Sequence, residues 1–141
     1  METVKLTYEI DGDNFNAAGD ASTAVKRVLK KLRLPPQIVR RAVVCMYEGE
    51  INMVIHADGG QAEVEVDADQ IIIRMQDTGP GIPDVAQAMQ EGFSTAGQTA
   101  RELGFGAGMG LPNIKRYSDE MKIETELGKG TTGTVRIKIP Q

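Results

Sequence analysis

The chain is poor in several residue types that define whole protein classes. It has one cysteine, Cys45, so no disulfide can form within it and no cysteine-based metal site is expected. It has no tryptophan, three tyrosines, three phenylalanines and a single histidine, His56. A lone histidine leaves no His cluster to bind a transition metal. No apolar run approaches the ~20 residues that a membrane-spanning helix needs. The first residues, Met1 to Glu9, alternate polar and apolar and lack the apolar core of a secretory signal, so a cytoplasmic protein is expected. The formal net charge of −4 argues against a nucleic-acid partner. What remains is a soluble chain of 141 residues, read as one domain over 1–141.

What it does have is glycine and a segregation of charge. Eleven of its 16 glycines lie between Gly79 and Gly133. Such a cluster marks tight turns, or places where backbone must approach something closely. Residues 26–41 carry seven basic groups (Lys26, Arg27, Lys30, Lys31, Arg33, Arg40, Arg41) and no acid, leaving nine basic against twenty acidic residues elsewhere. A solvated helix face explains such a run, as does a docking surface for an acidic partner.

Periodicity orders the elements. Residues 3–10 alternate as a strand, and a helix follows from Asp20 with Ala21, Ala24, Val25, Val28, Leu29 and Leu32 on one face. Leu34-Pro35-Pro36 ends it, and a second helix is expected over about 37–57, closed by Gly59-Gly60. Cys45 falls in its core. Strands are expected at 62–66 and 71–75, with Ile71-Ile72-Ile73 suggesting burial on both faces. Next come a short helix near 84–91, an aperiodic glycine-rich stretch, a helix over 109–121, and a hairpin of 123–127 and 132–139. These elements predict an α+β fold, a two-layer sandwich.

Four motifs carry chemistry. Glu48 and Asn52 are four apart and share a helix face, pairing a carboxylate base with an oxygen donor suited to Mg²⁺. His56, four further on, extends that face, whereas Glu50 is expected to face solvent. Asp77-Thr78-Gly79-Pro80-Gly81-Ile82 follows a buried strand, putting an acceptor carboxylate on a pocket floor. Gly104-Phe105-Gly106-Ala107-Gly108-Met109-Gly110 opens a helix, where backbone N–H groups gather around an anion. No Gly-Lys-Ser/Thr follows, so this is not a Walker loop. Gly128-Lys129-Gly130-Thr131-Thr132 sits between the last two strands, and a plain hairpin accounts for it equally well.

In this order and spacing the four motifs resemble the GHKL ATPase superfamily, whose members include gyrase and histidine kinases. The stretches Asp77-Thr-Gly-Pro-Gly-Ile-Pro-Asp84, Glu91-Gly-Phe-Ser-Thr-Ala96 and Gly108-Met-Gly-Leu-Pro-Asn-Ile-Lys-Arg116 look like the anti-sigma-factor serine/threonine kinase branch, the switch kinase of the stressosome above all. The resemblance implies a Bergerat ATP-binding fold, a mixed, mostly antiparallel sheet covered on one face by helices, with an ATP lid about residues 92–108. It implies Mg-ATP as cofactor. Asn52 would ligate Mg²⁺ and Glu48 would be general base. Asp77 would hold the adenine amino group, with Gly79, Gly81 and Ile82 beside the base. Gly104, Gly106, Gly108, Met109 and Gly110 would line the phosphates, with Thr131 and Thr132 at the adenine end.

The implied function is phosphorylation of a STAS-domain antagonist in a partner-switching pathway, with a sigma factor or a phosphatase as further partners and a homodimer left open. A non-catalytic ATP-dependent switch module and a stand-alone histidine-kinase ATPase domain use the same site and are the alternatives. The chain shows no phosphoacceptor-histidine helix and no transducer domain. It departs from the pattern at Ile55, where relatives often carry a basic residue, at Gly133, where a bulky apolar residue is common, and in a longer lid containing Arg101 and Glu102.

Overall fold

A computed structural model of the chain describes residues 2–12, 18–56, 59–79, 81, 89 and 110–140. Strand β1 (Val4–Asp11) is followed by helices α1 (Asp20–Lys31) and α2 (Pro36–His56), the hairpin β2 (Gly59–Val66) and β3 (Gln70–Gln76), helix α3 (Gly110–Tyr117), and the hairpin β4 (Glu120–Glu126) and β5 (Gly130–Lys138). Among the described residues the strands form one sheet in the order β1-β2-β3-β5-β4, with every pairing antiparallel. The expected short helix near 84–91 and the lid lie outside the described residues.

Alternation decides which sheet face the helices cover. Val64, Ile73 and Val135 stand in register across β2, β3 and β5, as do Val66, Ile71 and Ile137, and all six are buried. Ile72 corrects the expectation of burial on both faces. It points the other way, between Glu65 and Arg136, and is only half-buried, because among the described residues no helix packs on the second sheet face. That face carries cross-strand ion pairs instead, such as Arg74–Glu63 and Arg136–Glu120.

The 21 residues of α2 make a rod about 31 Å long across the covered face. It is flanked by α1, which buries Ala21, Val25 and Leu29 at four-residue spacing, and by α3, which buries Ile114. Leu32 and Arg33 end α1 on the carbonyls of Val28 and Lys30, and Arg33 takes a φ of 58° in the left-handed region. Gly59 and Gly60 open β2. Helix α3 stops at Tyr117, four residues short of the expected end. Its last carbonyl is taken by the Arg41 guanidinium, whose Nε lies 2.9 Å from Tyr117 O, and Asp119 already bonds to β5. Arg41 therefore leaves the basic run and clasps α2 to the α3–β4 junction, with Asp119 at 3.2 Å.

Candidate functional site

The middle of α2 lies hard against the sheet. A β-carbon at Gly49 would come 2.0 Å from the Met75 sulfur, so glycine here lets the helix settle two residues before Asp77. The neighbouring positions then diverge at about 100° per residue. Glu48 turns toward α3, where the Asn113 side chain hydrogen-bonds it. Half-burial raises the Glu48 pKa above that of an ordinary glutamate, and the Asn113 bond partly lowers it again. A carboxylate poised this way suits a proton acceptor. Asn113 was not singled out by its sequence. Its position four residues into the helix after the glycine run was the available signal.

Glu50 overturns the expectation that it faces solvent. It is 2% exposed and caps the start of α1. Its Oε2 accepts from Gly19 N at 2.9 Å and Ala21 N at 3.3 Å, and its Oε1 accepts from Ser22 N at 3.0 Å and Ser22 Oγ at 2.6 Å. Helix α1 begins at a left-handed glycine with no side-chain cap of its own, so an acid from 28–31 residues away satisfies its orphan donors and its dipole.

Asp77 leaves the end of β3. Its Oδ1 accepts from Gly79 N at 2.9 Å and Thr131 N at 3.2 Å, while Asp77 N donates to Thr131 O at 3.0 Å. The carboxylate is thus fixed in place through Oδ1, and among the described residues its Oδ2 has no partner. The Thr131 hydroxyl shares a 2.9 Å bond with that of Thr125. Two glycines permit this junction. A β-carbon at Gly130 (φ 132°) would meet Asp77 O at 2.1 Å, and one at Gly81 (φ 81°) would meet Glu126 O at 2.8 Å. Gly81 is thus required by the chain's own β4–β5 turn. Thr132 pairs with Gln76, one step out of phase with Asp77 and Met75, and so belongs to the sheet face opposite the three helices. The structure joins Thr131, and not Thr132, to Asp77.

Asn52, one turn beyond Glu48, is half-buried, and its amide has no hydrogen-bond partner among the described residues. Those residues contain no group of three His, Cys, Asp or Glu side chains able to hold a metal. An amide oxygen alone fits Mg²⁺, which commonly takes one or two protein oxygens and fills its shell with phosphate and water. Gly110 is the first residue of α3, whose opening turn carries no acid. Ile82, Gly104, Gly106, Gly108 and Met109, with the 92–108 lid and the His56 side chain, lie outside the described residues. Cys45 is core. Burial pushes its thiol up to about 12, and its Sγ sits 3.7 Å from Ile114 O. Among the described residues no helix is long and apolar enough to cross a membrane.

The model of the family described as histidine kinase-, DNA gyrase B-, and HSP90-like ATPase matches residues 38–141. The serine/threonine-protein kinase RsbT of Bacillus subtilis is 34% identical over 110 residues, 75% of this chain and 77% of the relative. The anti-sigma F factor of Clostridium beijerinckii is 29% identical over 144 residues, 98% of this chain and 96% of the relative. That of Geobacillus stearothermophilus is 27% identical over 113 residues, of which the match spans 66% of the relative. Among solved structures, the RsbU and RsbW domains of a Mycobacterium tuberculosis protein share the fold with a TM-score of 0.63 at 17% identity, over 98% of this chain and a third (33%) of that longer one.

Proposed function

The chain belongs to the histidine kinase-, DNA gyrase B- and HSP90-like ATPase family, and from that premise we propose that it is an ATP-dependent serine/threonine protein kinase of the anti-sigma type, working in the cytoplasm as a partner switch. The observation that carries this reading is Asp77. Its carboxylate is locked by Gly79 and Thr131 through one oxygen, and the other is open to accept from the exocyclic amino group of adenine. Glu48 and Asn52 stand on α2, Asn113 of α3 meets Glu48, and the first turn of α3, opened by Gly110, carries no acid and presents the helix N-terminus that favours phosphate. The fold, the site and the relatives' names point the same way.

In this reading a hydroxyl oxygen of the protein substrate attacks the γ-phosphorus of ATP. Its proton passes to a Glu48 carboxylate oxygen, and ADP leaves with the bridging oxygen. Asn113 orients Glu48. Asn52 would hold Mg²⁺, which would supply neutralisation of the phosphate charge. The chain's own contribution is positioning and a poised base. The substrate is a small STAS-domain antagonist, and its phosphorylation exchanges one complex for another.

The test is incubation with labelled ATP and the STAS-domain proteins of the same cell. Acid-stable phosphate on a STAS protein is expected. Asp77→Asn replaces an acceptor by an amide and should weaken ATP binding by about tenfold to a hundredfold. ATP affinity that ignores Asp77→Asn, or phosphate that is acid-labile, sinks the reading.

A further inference from the structure

The basic run has a shape as well as a charge. Between the second half of α1 and the first half of α2 runs a groove of about 320 Å³, lined also by Leu34 and Pro36 of the connection between the two helices. Its floor is apolar (Leu34, Pro36, Val39, Val43, Val44), and Lys26 and Lys30 from α1 face Arg40 from α2 across it. No acid lines it. Among the described residues Lys26, Lys30 and Arg40 make no ion pair, while the cations of the sheet do, at Lys5–Glu65, Arg74–Glu63, Lys122–Glu124, Lys129–Glu126 and Arg136–Glu120. The three groove cations are all exposed. Their potential is therefore uncompensated, in a chain whose net charge is negative.

We propose that this groove is a docking site for an acidic amphipathic helix of a partner protein. A helix laid between α1 and α2 would set an apolar stripe on Leu34, Val39 and Val43. Its flanking carboxylates would meet lysines on one wall and an arginine on the other. Lys26 and Lys30 are four residues apart, one helical turn, matching carboxylates at the same spacing on a parallel partner helix. The concavity favours a helix over a flat anionic surface, since the apolar floor lies below the cations and Val39 is buried. The charge sets approach rate and selects the partner, and the apolar floor sets lifetime. The site is separate from the nucleotide, because Arg40 lies about 12 Å before Glu48 along α2. It goes beyond the kinase reading and does not need it.

The test is selection of short helical peptides from a random display library on the whole chain, with the winner then synthesised. Winners are expected to carry an apolar stripe flanked by Asp and Glu. Affinity for K30E/R40E should fall about tenfold or more, and affinity for the native chain should fall with added salt. The ATP affinity of K30E/R40E should equal that of the native chain, which keeps failure here distinct from failure at the nucleotide site. Winners without acidic excess, or equal affinity for the variant, overturn the proposal. So does self-association, or binding to vesicles containing phosphatidylserine, that K30E/R40E abolishes, since each assigns the groove to another occupant.

Discussion

Glu48 and Glu50 are the same residue two positions apart on one helix, and they have opposite environments. Glu50 is nearly inaccessible, yet its two oxygens accept four hydrogen bonds at the start of α1, so its burial is fully compensated. Glu48 is only half-buried, yet among the described residues its one side-chain partner is Asn113, and burial dominates its pKa. The better-buried acid is the structural one, and the less satisfied acid belongs to the site. The raised pKa of Glu48 suits a group that must take up a proton, whereas the four bonds to Glu50 fix the position of its side chain.

The comparison breaks hardest at Glu50. Glu50→Gln keeps the size of the side chain but replaces one accepting oxygen by a donor and removes the charge; with the NH₂ on the Ser22 side the hydroxyl can turn to accept, while the Ser22 N–H is left facing a donor. Urea unfolding should show a loss of about 3 kcal/mol, with Ser22→Ala losing about 1 kcal/mol. A Glu50→Gln variant as stable as the native chain would mean that the four bonds contribute nothing net.

Glu48→Gln should give the mirror image. Phosphate transfer should drop about 10²- to 10⁴-fold with ATP binding spared, as for loss of a general base. Stability at neutral pH should not fall. A carboxyl whose folded pKa is raised contributes stability below its unfolded pKa and loses it as pH rises through the folded value, so the ionised form at neutral pH is the unfavourable one. Normal transfer by Glu48→Gln would remove the base assignment.

Asn113 sharpens the pair more gently. Burial raises the Glu48 pKa and the Asn113 bond lowers it. Asn113→Leu should therefore raise it further and move the acid limb of the pH–rate profile to higher pH, with a rate at alkaline pH within a few-fold of native. An unmoved acid limb would leave Asn113 no positioning role.

These contrasts also mark how far the sequence could be read. Strand alternation and the four-residue spacing on α1 and α2 made those elements legible, because burial on one side imposes the period directly, whereas the unbroken Ile71-Ile72-Ile73 run hid which of the three faces away from the helices. Glu50 was misread because its partners lie at Gly19, Ala21 and Ser22, and helical spacing alone says nothing about what packs on the far side of a helix. The absence of Ser, Thr, Asn or Asp just before Asp20 was the clue that α1 borrows its cap. The early end of α3 was hidden for the same reason, since the group that takes its last carbonyl, Arg41, comes from 76 residues away. Asp77 was legible as a strand-ending acid in a glycine turn. Which threonine it meets depended on register, and a slip of one residue reverses the answer.

The smallest effect concerns the two glycines that face Met75. Gly49 on α2 presses on its sulfur from the helix side, while Gly133 is its cross-strand partner, and a β-carbon there would meet nothing within 4 Å. Gly133 has no left-handed φ, so a side chain there is unstrained. Gly133→Ala should stabilise the fold by about 0.5–1 kcal/mol, through lost freedom in the unfolded chain and better strand propensity. Gly49→Ala should cost little more than the work of moving the Met75 sulfur, because the open space beside Gly133 is there to receive it. The two substitutions draw on that same space. The double variant should therefore be less stable than the sum of the single effects, and a double-mutant cycle reads the difference. Strict additivity would mean that Met75 yields in some other direction, and that the helix carrying Glu48 and Glu50 is seated on the sheet independently of β5.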